Sequence, residues 1–253
     1  MSTADKSRQV HKIVNLLKRK YEAPERREPL SILEHLIMAI LADGTTTSKA
    51  DAAFVRLKKD YYDWNEVRVS ALVELQDHMA DLPDPEQRAA RLKGCLRFVF
   101  ENTYGFDLDQ LAKVPMKEVS RRFEKMPGVS EYLTNRIIRD GLGGTAMPLD
   151  TTAVRILSRL GIIDNRTSAQ SLSASLARQI PRARSFEFCH VLSELGAEYC
   201  LENEPRCKQC FLLDECPTGK QRLAELAAAA AAQAASKAKK PRARAKKTGA
   251  KSR

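Results

Sequence analysis

The sequence predicts an all-helical fold, and three observations carry that expectation. Apolar residues recur at helical spacing through the body of the chain, period-2 alternation is scarce, and no Asn-Gly or Asp-Gly pair joins two apolar runs as a β-hairpin requires. With 253 residues and 43% hydrophobic composition, the chain is long enough for a substantial core in one domain or two.

Each helix has its own signal. Val10, Ile13, Val14, Leu17 and Tyr21 share one helical face, and Leu33, Leu36, Ile37, Ile40 and Leu41 share the next. A third segment puts Ala50, Ala53, Phe54 and Leu57 together. Asp84-Pro85-Glu86 is a helix start, with a capping carboxylate before a first-turn proline. Its helix runs through Leu92, Cys95, Leu96 and Val99 to Tyr104-Gly105, where the glycine is expected to end it. Residues 227–232 are all alanine; they can be helical but cannot build a core.

Charge is unevenly distributed. The net charge is +11, yet residues 237–253 hold nine Lys/Arg and no acid, which leaves 34 Lys/Arg against 32 Asp/Glu in the rest. Basicity therefore points to a polyanion-binding tail, disordered when free, and says little about the folded body. No window approaches 18 consecutive apolar residues, so no membrane span is expected. The first residues carry no apolar run behind their charges, and the expectation is a protein working in a reducing compartment. There, clustered cysteines read as a metal site rather than as disulfides.

Four of the six cysteines cluster: Cys200, Cys207, Cys210 and Cys216, as C-x6-C-x2-C-x5-C. Tetrathiolate sites hold zinc or iron–sulfur, and one C-x2-C flanked by two single cysteines favours a cubane over the paired knuckles of structural zinc. Cys95 and Cys189 lie in apolar helical stretches and read as buried small hydrophobes. Upstream, an amphipathic segment ending at Met126 is broken by Pro127-Gly128-Val129, and a second helix starts with Ser130 as its cap. Such a turn exposes amides at a helix N-terminus, a ready phosphate site, though Pro-Gly turns between helices are also common. Asp150, in Leu149-Asp150-Thr151, is an N-cap candidate.

In this order, the Pro-Gly-Val turn, the Leu-Asp-Thr segment and the four-cysteine spacing resemble endonuclease III and its adenine- and mismatch-glycosylase relatives, over roughly residues 10–217. The resemblance implies a helix–hairpin–helix at Pro127, Gly128, Val129 and Ser130 that grips DNA phosphates, and a [4Fe–4S] cluster on Cys200, Cys207, Cys210 and Cys216. It makes Asp150 similar to the family's essential aspartate. It also implies two helical lobes with DNA in the groove between them and the target base flipped out. Residues 1–27 are then an N-terminal helix of the cluster lobe, 28–145 a helical barrel with the hairpin, 146–222 the C-terminal helices and cluster loop, and 223–253 an Ala-rich, then basic, disordered tail.

The chain departs from the family at several points. Where endonuclease III places the lysine that forms a Schiff base, this chain has Tyr132, whose phenol cannot. Lys125 precedes the turn, out of phase with that position. Gly44 falls at the gap-filling glutamine, Asp84 at the apolar wedge, and the loop after Cys200, basic in the family, reads Leu-Glu-Asn-Glu-Pro-Arg. The expectation is a monofunctional DNA glycosylase with Asp150 as carboxylate and Tyr132 lining the base pocket. Its partner is double-stranded DNA with a damaged or mismatched base, with the tail on the phosphates and no membrane, and it is expected to act as a monomer in the cytoplasm. The alternative is a DNA-binding protein that kept the fold and lost the chemistry.

Overall fold

The computed structural model describes residues 3–22, 29–163 and 169–238. Among them run twelve α-helices: α1 (Thr3–Lys20), α2 (Ile32–Ala42), α3 (Thr47–Asp60), α4 (Trp64–Val69), α5 (Leu72–His78), α6 (Pro85–Thr103), α7 (Met116–Glu124), α8 (Glu131–Asp140), α9 (Thr151–Arg159), α10 (Ala169–Gln179), α11 (Arg182–Glu198) and α12 (Pro217–Ala238). No strand occurs among the described residues. None of these helices is long and apolar enough to cross a membrane.

Local chemistry explains several helix starts. Ser31 opens α2 with a capping box: its Oγ accepts from the Glu34 amide while the Glu34 carboxylate accepts from the Ser31 amide. Thr46, Asp63 and Ser130 accept from the third following amide of α3, α4 and α8. The apolar faces read from the sequence are buried on α1, α2, α3 and α6, from Val10 through to Val99, except that Tyr21 falls just past α1 and is half-buried.

Two expectations at the ends of α6 are corrected. Asp84 makes no side-chain cap bond; it sits in the left-handed region at φ 48°. The following proline disfavours the right-handed region, and aspartate tolerates the left-handed one, which carries the carboxylate away from the helix amides. At the other end, Tyr104 rather than Gly105 takes the left-handed turn at φ 52°.

The buried side chains divide into two clusters. One runs from Ile32 to Ile137 and unites α2 through α8. The other joins Val10, Ile13, Val14 and Leu17 of α1 to residues between Met147 and Leu212. The first helix therefore packs against the C-terminal half. Gln9 donates to the Leu160 carbonyl at 2.8 Å, and the Tyr21 hydroxyl donates to Glu198 at 2.9 Å. In the second cluster α11 packs tightly on α9 at Gly196, where any Cβ would run into the Thr152 methyl. α12 carries the alanine run as helix to Ala238, and the basic segment 239–253 lies outside the described residues.

Candidate functional site

The site forms where the α2–α3 loop of the first cluster meets the start of α9 in the second. Asp150 is the N-cap of α9 and only 7% exposed. Its Oδ1 accepts from the Ala153 amide at 2.7 Å, and its Oδ2 accepts from the Gly44 amide at 3.1 Å. Gly44 presents that amide from a left-handed turn, φ +69°, that a residue with a side chain adopts only under strain. Burial pushes the Asp150 carboxyl above the usual carboxylate range, and nearby Asp43 adds to the rise. The two amides and Arg136 pull the other way.

Tyr132 lies in the first turn of α8, half-buried. Arg136, one turn further on, donates to its hydroxyl oxygen at 2.7 Å and is itself braced by Asp140 at 3.3 Å. Burial pushes the Tyr132 phenol up to about 12 against the opposing pull of Arg136, so it is neutral at physiological pH. Tyr132, Arg136 and Asp150 bound a small cavity of about 20 Å³, together with Thr45, Phe186 and His190. Gly44 and Thr45 connect this corner to a groove of about 570 Å³, walled on one side by Lys49, Gln87 and Arg91 and on the other by Thr152, Arg155 and Glu202.

The turn before α8 is closed by the Val129 amide on the Met126 carbonyl at 3.2 Å, with Gly128 at φ +76°. Pro127, Gly128 and Ser130 are exposed, while Val129 packs against the first cluster. The Arg91 stem approaches Gly128 so closely that a Cβ there would lie 3.1 Å from its Cγ. The Arg91 guanidinium pairs with Asp43 at 2.8 Å.

Cys200, Cys207, Cys210 and Cys216 line one cavity of about 60 Å³. A single water needs roughly 10–15 Å³ on this measure, so the space suits a group larger than one atom. Two donors face the sulfurs: Arg159 reaches Cys200 Sγ at 3.4 Å, and the Gly219 amide at the start of α12 reaches Cys216 Sγ at 3.3 Å. Four thiols around a multi-atom space, with cationic and amide donors on the sulfurs, are a donor set that fits an iron–sulfur cluster. No three His, Cys, Asp or Glu side chains among the described residues are grouped to hold a single metal ion. Cys95 is buried as expected, whereas Cys189 is half-buried and borders the small cavity.

No family model matches the chain. It is 32% identical over 98 residues to endonuclease III of Bacillus subtilis (strain 168), spanning 39% of this chain and 45% of that one. Against endonuclease III of Thermotoga maritima it is 25% identical over 187 residues, 74% of this chain and 83% of that one. Among solved structures, a trapped endonuclease III–DNA covalent intermediate aligns with a TM-score of 0.65 at 21% identity, covering 88% of this chain and all of that one. In sequence the chain is similar to endonuclease III, and it shares the fold of an endonuclease III–DNA complex. A thermostable thymine-DNA glycosylase shares the fold too, with a TM-score of 0.60 at 20% identity over 87% of this chain.

Sequence reasoning missed several residues of the site. Arg136 had a usable signal, since it stands four positions from both Tyr132 and Asp140 on one helix. Asp43, Lys49, Arg88 and Arg91 had none, because only the fold brings them beside Asp150 and the groove.

Proposed function

We propose that the chain is a monofunctional DNA glycosylase, hydrolysing the bond between a damaged or mismatched base and its sugar without cutting the strand. The observation that carries this reading is the Asp150 carboxylate, buried and held by two backbone amides, in a cavity where the α8 side chain beside it is a phenol rather than an amine. A fixed carboxylate stabilises positive charge developing on the sugar and orients water, and a raised pKa moves it nearer the range useful to a general base. Tyr132 lines the small cavity beside Asp150, which would have to open toward the groove to admit a flipped base. The turn Pro127-Gly128-Val129-Ser130 presents the Gly128 and Ser130 amides to backbone phosphate, the Val129 amide being spent on the Met126 carbonyl, and the tail adds cations to the same polyanion. Cys200, Cys207, Cys210 and Cys216 would hold a [4Fe–4S] cluster, which when bound ties the chain after α11 to the start of α12. The protein acts as a cytoplasmic monomer on the nucleoid.

A panel of duplexes carrying lesions and mismatches, assayed with and without alkali, tests the reading. Base release with strand breakage only after alkali supports it. One observation favours a second reading: Gly44 and Asp84, which stand at the family's gap-filling and wedge positions, line the groove with no side chain suited to hold a duplex open. If the panel yields no free base while duplex binding persists, that reading, a non-catalytic DNA-binding protein, replaces the first.

A further inference from the structure

Arg88 is 7% exposed, and its hydrogen bonds all go to backbone carbonyls. Nε donates to Pro83 at 3.1 Å, Nη1 donates to Ile40, and Nη2 donates to Asp43 at 2.7 Å. The Ile40 and Asp43 carbonyls belong to the last turn and C-cap of α2, where carbonyls lack helical partners, so the guanidinium caps that helix end. The Asp43 carbonyl has a second property. It shares one peptide unit with the Gly44 amide, and that amide is the donor to Asp150 Oδ2. A planar trans peptide holds its C=O and N–H pointing in opposite directions. Arg88 therefore grips one end of a rigid plate whose other end holds Asp150.

That plate has reason to turn if released. Gly44 is free of the steric limits that fix other residues, so rotating the Asp43–Gly44 peptide is an easy motion that would swing the N–H off the carboxylate. We infer that Arg88 is a positioning residue for Asp150, acting through the Asp43–Gly44 peptide. The inference rests on the reading of Asp150 as the group that drives base release. With the carbonyl end held, the amide stays aimed at Asp150, and a cation on the carbonyl strengthens the N–H as a donor. Other charged and titratable groups face Asp150 as well: Asp43 from the end of α2, Tyr132 and Arg136 from α8, and Cys189 from α11, with Arg139 and His190 bordering the same cavity. These groups act on the carboxylate through space, whereas Arg88 is hydrogen-bonded to the carbonyl of the plate, so the test must separate geometry from charge.

Arg88→Lys keeps a cation but not the planar fork that reaches three carbonyls, and Arg88→Met removes both. Two signals are followed with pH on the full chain: the Gly44 amide and Asp150 carboxyl resonances by NMR, and the acid limb of single-turnover base release. In the parent, the Gly44 amide should titrate in step with Asp150. In both variants the amide should stop following the carboxyl, and the Asp150 midpoint and the acid limb should rise together by about one pH unit, since a lost donor to the charged form disfavours it. If Arg88→Lys titrates like the parent and only Arg88→Met shifts, the effect is through-space charge and the inference falls. A lower Tm with unshifted limbs and an amide still tracking Asp150 makes Arg88 a helix cap and nothing more. If the parent releases no base, the glycosylase reading fails, and the NMR titration alone still decides the inference. If Arg88→Met does not fold, Arg88→Lys carries the comparison, because it retains the charge that a bulk-stability role would need.

Discussion

The Gly44 amide and the Asp150 carboxylate meet at 3.1 Å across 106 positions of sequence. This bond joins the loop after α2 to the start of α9, and with them the two buried clusters of the molecule. It leaves a carboxylate fixed at the corner between a small cavity and a long groove.

Asp150→Asn should lower base release by roughly 100-fold or more, the scale seen when one preorganised electrostatic group is lost, while duplex affinity is retained. Asparagine keeps an oxygen for the Ala153 amide but presents no charge to the sugar. Release at the parent rate would reduce Asp150 to a helix cap.

Asp150 also sets a pH dependence of stability. Its folded carboxyl titrates above the ordinary value because burial opposes ionisation. The stability this adds is complete below the unfolded pKa and is lost as pH rises through the folded one. Relative to Asp150→Asn, the parent should therefore lose Tm as pH climbs from the ordinary carboxylate value through the raised one. Parallel Tm curves over that range would contradict the buried, raised carboxyl.

Borohydride should trap no covalent adduct between the parent and a duplex it acts on, since α8 brings the Tyr132 phenol and no amine into the cavity with Asp150. Trapping would overturn the monofunctional assignment. Lys49, the amine lining the groove, is then the residue to replace first. Tyr132→Lys should gain some strand cleavage.

Protein purified without oxygen should carry about four irons per chain, as Cys₄ ligation of such a cluster requires, and Cys207→Ala should lose them with part of the folding energy of the C-terminal region. Colourless protein with one zinc per chain would assign the four cysteines to a structural zinc instead.

Deleting residues 237–253 removes nine cations. If about half contact phosphate, the slope of log K against log salt should fall by roughly 4, at about 0.9 per contact, with base preference unchanged. An unchanged slope would show that the tail does not touch the duplex.

The sequence by itself determined what short-range chemistry can specify. Helical spacing named the buried faces of α1, α2, α3 and α6, Ser130 and Asp150 were legible as caps, and the four cysteines were legible from their spacing. Each is a relation among residues a few positions apart. It failed at Asp84 and Tyr104, where a left-handed backbone choice depends on the neighbouring chain rather than on the residue's own capping ability. Tertiary structure alone decided that Asp150 receives the Gly44 amide and that Arg88 holds the opposite end of that peptide. The reason is physical: a backbone amide or carbonyl carries no side-chain signature, so a bond made by one across 45 or 106 positions exists only once the chain has folded around it.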